Sequence, residues 1–134
     1  LVAQMLLASP AIHAMRDPTR GGLATTLNEF AASSKTGIII DEMAIPVRPE
    51  VRGACEVLGI DPMYVANEGK LVAVVPGEIA DRMVAVMRKN LFGREAAIIG
   101  EVVADNRGLV VMRTSLGAQR IVDMPVGEQL PRIC

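Results

Sequence analysis

Leu23, Leu27, Phe30 and Ala31 recur at helical spacing, which predicts an amphipathic helix from about Gly22 to Ser34. The run Gly37-Ile38-Ile39-Ile40-Asp41 that follows has the length and composition of a buried strand. Beyond Pro46, a second helix is expected to open at Pro49 and stop at Gly59, with Val51, Ala54, Cys55 and Leu58 on one inward face. Lys70 to Val75 predicts another buried strand. A third helix, Gly77 to Asn90, turns Ile79, Met83, Val86 and Met87 inward, with Glu78 and Asp81 early and Arg88 and Lys89 late, as the helix dipole favours. Val2 to Ala8 is helix-compatible as well.

Three strands are expected last, over Ala96 to Ala104, Leu109 to Arg113 and Arg120 to Asp123. The turn-forming segments Asp105-Asn106-Arg107-Gly108 and Ser115-Leu116-Gly117-Ala118 separate them, a pattern that suits a meander. Mixed helices and strands followed by strands in succession predict an α/β (α+β) fold, a mixed β-sheet covered by helices. No repeat or low-complexity tract interrupts it.

Composition narrows the function classes. The 134 residues suit one core, and 51% are apolar, yet there is no Trp, two Phe and one Tyr, so the core must be aliphatic and Met-rich. Net charge is -1, and no basic run is interleaved with aromatics, which argues against a nucleic-acid partner. Mean hydropathy is high at +0.36, but the apolar runs are far shorter than the roughly 18 residues that span a bilayer. With no export signal evident, a cytoplasmic protein with reduced thiols is expected. The chain begins at Leu1 rather than Met, so an upstream region is also expected.

Three places carry candidate chemistry. Met15-Arg16-Asp17-Pro18-Thr19-Arg20-Gly21-Gly22-Leu23 leads into the helix predicted from Gly22. Two glycines there cost helix stability, about 1 kcal/mol each against alanine, so another requirement selects them. One explanation is an anion: glycines let backbone N–H groups approach a phosphate, the helix start favours negative charge, and Arg16 and Arg20 add charge-assisted bonds. The other is local structure, with Asp17 or Thr19 as N-cap, Pro18 near the first helical position and glycines that relieve packing. The residues alone weigh these equally.

Asn67-Glu68-Gly69-Lys70 precedes the Leu71 to Val75 strand. It reads either as a turn with Gly69 at positive φ, or as a carboxylate at a strand entrance able to take a proton or hold a ligand. His13, the only histidine, is more simply a local hydrogen bonder. The third place is the terminal residue, Cys134. Ten residues of extended tail at roughly 3.3 Å each would carry its sulfur some 30 Å, enough to serve two sites. A prenylation signal needs the cysteine four from the end, and two Cys with one His are too few for a zinc site. A disulfide with Cys55 or an inert chain end stands against a reactive thiol, and Cys55 itself is most simply a core residue.

Together, Ile12-His13-Ala14-Met15-Arg16-Asp17-Pro18-Thr19-Arg20-Gly21-Gly22-Leu23-Ala24, Ala66-Asn67-Glu68-Gly69-Lys70 and the ending Pro131-Arg132-Ile133-Cys134 resemble the C-terminal half of the HypE family of hydrogenase maturation proteins. That family lies in the superfamily of aminoimidazole ribonucleotide synthetase, selenophosphate synthetase and thiamine-monophosphate kinase. The resemblance implies a PurM-like C-terminal domain over residues 1 to 123 and a mobile tail over 124 to 134 that carries the modified cysteine. It implies that Cys134 receives a carbamoyl group from HypF. ATP and Mg²⁺ then drive dehydration of the S-carboxamide to a thiocyanate, and the cyano group passes to iron on the HypC-HypD complex for the NiFe hydrogenase centre.

Matched motif to motif, Glu68 would hold or deprotonate the carboxamide nitrogen, and Arg16, Asp17, Thr19, Arg20, Gly21 and Gly22 would lie near the nucleotide phosphates. The N-terminal half expected to hold most ATP and Mg²⁺ ligands, and the contacts of a homodimer, is lacking here. The isolated chain is therefore expected to be inactive. Two rivals are a selenophosphate synthetase-like enzyme, which has no use for a terminal thiol, and a non-catalytic carrier that only presents Cys134 to partners.

Overall fold

A computed structural model describes residues 1–124. The elements are α1 (Val2–Ala8), β1 (Ala14–Arg16), α2 (Gly22–Ser34), β2 (Gly37–Asp41), α3 (Pro49–Leu58), β3 (Val72–Val74), α4 (Gly77–Arg88), β4 (Gly100–Val103), β5 (Val110–Arg113) and β6 (Gln119–Ile121). Three short 3-10 turns, Glu42–Ala44, Pro62–Tyr64 and Leu91–Gly93, lie between them. The mixed sheet and covering helices expected from the sequence are present.

Helix α2 follows its apolar spacing. Ala24, Leu27 and Ala31 are buried against Ile38 and Ile40 of β2, Val110 and Met112 of β5, and Val122. The helix ends where Lys35 turns left-handed, its N–H donating to the Ala31 carbonyl. Helix α1 packs on α4 around the fully buried Met5, and Arg82 donates to the Ala8 carbonyl at 2.6 Å. Met83 of α4 is buried as the pattern predicts, while Ile79, Val86 and Met87 are half-buried.

The main sheet runs β4-β2-β5-β6. Strand β2 pairs antiparallel with β4 and parallel with β5, Ile39 facing Glu101 on one side and Val111 on the other. The expected meander is therefore corrected: β5 and β6 form a hairpin, but β2 lies between β4 and β5. The reason is burial. Strands β2 and β5 are the two most apolar, and the sheet centre is where both of their faces are covered. A second sheet consists of β1 and β3 alone, antiparallel, with Arg16 opposite Val72.

Other boundaries shrink. The Lys70 to Val75 strand is limited to Val72–Val74 and is half-buried, and the Ala96 to Ala104 strand to Gly100–Val103. Helix α4 stops at Arg88, and Asn90 accepts from the Phe92 N–H to start the next turn. The expected inward face of α3 is also corrected. Only Cys55 is buried there, while Val51, Ala54 and Leu58 are exposed.

Candidate functional site

Strand β1 leads into Asp17–Gly22, and the Asn67–Lys70 loop leads into β3. Because the two strands are antiparallel, the end of one lies beside the start of the other. The two motifs, about fifty residues apart in sequence, are thus neighbours. A direct bond joins them: the Asn67 N–H donates to the Pro18 carbonyl at 3.0 Å, and the Asn67 side-chain amide donates to the Val65 carbonyl at 2.8 Å. Glu68 follows on an exposed bend, and Gly69 turns the chain at a φ of 68°.

Beside this contact is an open depression of about 450 Å³ lined by Arg16, Asp17, Thr19 and Arg20 together with Thr25, Thr26 and Glu29 of α2. Arg16 forms an ion pair with Glu29 across it, both side chains partly exposed. Thr26 back-bonds to the Gly22 carbonyl at 3.3 Å. The Thr25 hydroxyl is buried with no hydrogen-bond partner among the described residues. This donor set, two guanidinium groups and several hydroxyls, fits a phosphate. Glu29 offsets part of that positive charge. No group of three potential metal-ligating side chains occurs among the described residues.

The glycines have a local explanation. Neither Asp17 nor Thr19 caps α2: the N-cap is Gly21, at a φ of 67° and with no side-chain cap, and Pro18 lies before the helical turn. Gly22 also has a positive φ, 61°, and its N–H donates to the Thr19 carbonyl at 3.1 Å. A Cβ on Gly22 would stand 2.5 Å from the Val65 carbonyl oxygen and 2.6 Å from that of Met63. Close backbone packing therefore requires glycine there whether or not an anion binds nearby.

His13 is exposed at the start of the small sheet, where its backbone N–H donates to the Val74 carbonyl at 2.9 Å. Cys55 is a free, buried thiol, as expected of a core cysteine. Cys134 lies outside the described residues. Thr25, Glu29 and Asn67 were missed by the sequence reading. Only Asn67 carried a signal, its place beside Glu68 in a turn.

The family model for the AIR synthase related protein, C-terminal domain, matches residues 1–113. The chain is 59% identical over 134 residues to carbamoyl dehydratase HypE of Cupriavidus necator, covering 100% of this chain and 38% of that relative. It therefore spans well under half the length of that protein. Among solved structures, HypE in complex with ATP superimposes with a TM-score of 0.86 at 51% identity, over 92% of this chain and 38% of that one. A chain of a HypE-HypF complex matches with a TM-score of 0.87 at 42% identity, over 92% of this chain and 40% of that one.

Proposed function

Because this chain belongs to the AIR synthase related family, as its C-terminal domain, we propose that it is the C-terminal part of a carbamoyl dehydratase that makes the cyanide ligand of NiFe hydrogenase. The observation that carries this is the 59% identity to a carbamoyl dehydratase HypE across all 134 residues, the segment ending in Cys134 included. The neighbouring Gly-rich and Asn67-Glu68 segments support it, because an ATP-dependent dehydration needs a phosphate site and a carboxylate at one place.

In this reading, Cys134 carries a carbamoyl group delivered by a HypF partner, and residues 125–134 form the carrier tail. An amide oxygen is a poor leaving group. ATP supplies the phosphoryl group that makes it one, so the oxygen departs as phosphate while the nitrogen gives up its protons to form the nitrile. Arg16, Arg20, Thr19 and Thr25, which line the depression at the start of α2, are the groups assigned to the phosphate oxygens. Glu29, paired with Arg16, sets the position of that guanidinium, and Asp17 lines the same depression. Glu68, on its bend beside Pro18, is the group assigned to the carboxamide nitrogen, orienting it and accepting its proton. Most of the ATP and Mg²⁺ ligands and the principal homodimer contacts belong to the rest of the protein, and the cyano group formed on Cys134 passes to a HypC-HypD complex.

The test uses the full-length protein with HypF, carbamoyl phosphate and ATP. Mass spectrometry is expected to find a carbamoyl or cyano adduct on the terminal peptide and none in Cys134→Ser. An adduct that persists in that variant would overturn the assignment.

A further inference from the structure

Glu68 stands on an exposed bend that belongs to no helix or strand, and Gly69 after it takes a φ of 68°. A carboxylate in such a place has little of its own to fix it, yet a reacting group works only when held near its productive geometry. The residue before it supplies two fixed points. Asn67 is half-buried and donates in two directions. Its main-chain N–H reaches the Pro18 carbonyl at 3.0 Å, and its side-chain amide turns back to the Val65 carbonyl at 2.8 Å.

Both acceptors touch the segment that lines the depression. Pro18 lies between Asp17 and Thr19, two of the lining residues. The Val65 carbonyl is the oxygen that lies against Gly22, where an added Cβ would meet it at 2.5 Å, so it marks the point at which Met63–Val65 packs on the start of α2. Short amide side chains commonly shape a turn by bonding to nearby main chain. Here the side-chain bond fixes the bend to Val65, while the main-chain bond fixes it to Pro18. The next residue along is Glu68.

We propose that Asn67 is a positioning residue that acts through Glu68, holding its carboxylate in register with the Arg16–Gly22 segment. This rests on the function proposed above. In that dehydration the bond from carbon to the phosphorylated oxygen breaks as the nitrogen gives its proton to Glu68. The proton acceptor and the phosphate site must therefore keep a fixed separation. Misplacement by about 1 Å can cost on the order of 10²-fold in rate. Asn67 itself touches neither the phosphate nor the carboxamide in this arrangement, so its loss acts on the rate of conversion and not on the affinity for ATP.

The experiment follows single-turnover conversion of the carbamoylated full-length protein over a range of ATP concentrations. Asn67→Ala removes the side-chain donor but leaves the N–H that bonds Pro18. Asn67→Asp keeps the shape and, ionised, cannot donate to Val65. Each is expected to slow conversion about fivefold or more, with the ATP concentration for half-maximal rate within about threefold of wild type. In a Glu68→Gln background the same substitution is expected to change the rate less than about twofold, because the group it positions is gone. A loss smaller than fivefold in the otherwise wild-type protein overturns the proposal. So does an equal fold-loss in both backgrounds, or a larger shift in the ATP dependence, since those mark a residue that supports the fold or the depression and not Glu68. If one of the two variants does not fold, the other decides. Near-normal conversion by Glu68→Gln alone would instead refute the role given to Glu68 in the proposed function, and that of Asn67 with it.

Discussion

Replacing Gly22 by alanine separates the two explanations for the Gly-rich segment. At a φ of 61° an L-residue costs about 1–2 kcal/mol. The new Cβ would also stand 2.5 and 2.6 Å from two carbonyl oxygens and 3.0 Å from the Tyr64 carbonyl carbon. Because all three are backbone atoms, relief requires moving the Met63–Val65 segment off α2, an overpacking cost of about 1–3 kcal/mol. The sum, about 2–5 kcal/mol, at roughly 1.5 °C per kcal/mol for a protein of the full length, lowers the melting temperature by about 3 °C or more. Scanning calorimetry of the full-length protein reads this directly. Hydrogen exchange should also show the Asn67 amide, now bonded to Pro18, losing protection. A variant melting within 2 °C of wild type but with much weakened ATP-dependent turnover would refute the packing argument and restore the anion as the reason for glycine.

Glu68→Gln keeps the shape of the side chain but removes the base, so carbamoylated Cys134 should accumulate and thiocyanate form about 10² to 10⁴ times more slowly in a single-turnover assay. Near-normal conversion would return Glu68 to an ordinary turn residue. Cys55 is 7% exposed, so a maleimide should label the folded Cys134→Ser protein much more slowly than the same protein in denaturant. Equal rates in the two states would show that the α3 face opens readily.

Much of the fold was legible because its signals are local. Helix α2, strand β2 and helix α3 begin and end where periodicity, Pro49 and Gly59 indicate, since each depends on neighbours within a turn or two. The two motifs were legible as unusual residues in unusual places. Their meeting was not. Strand β1 is three residues long, too short to show a period, and it pairs with a strand far along the chain.

Sequence by itself determined which segments are helical and which family the chain resembles. Only tertiary structure decided that β2 separates β4 from β5, that Arg16 pairs with Glu29, that Asn28 ties Val122, and that Gly22 is glycine because of Met63 and Val65. Each of these joins residues distant in sequence. Their contacts arise from burying one shared apolar core, so no local window of residue types encodes them.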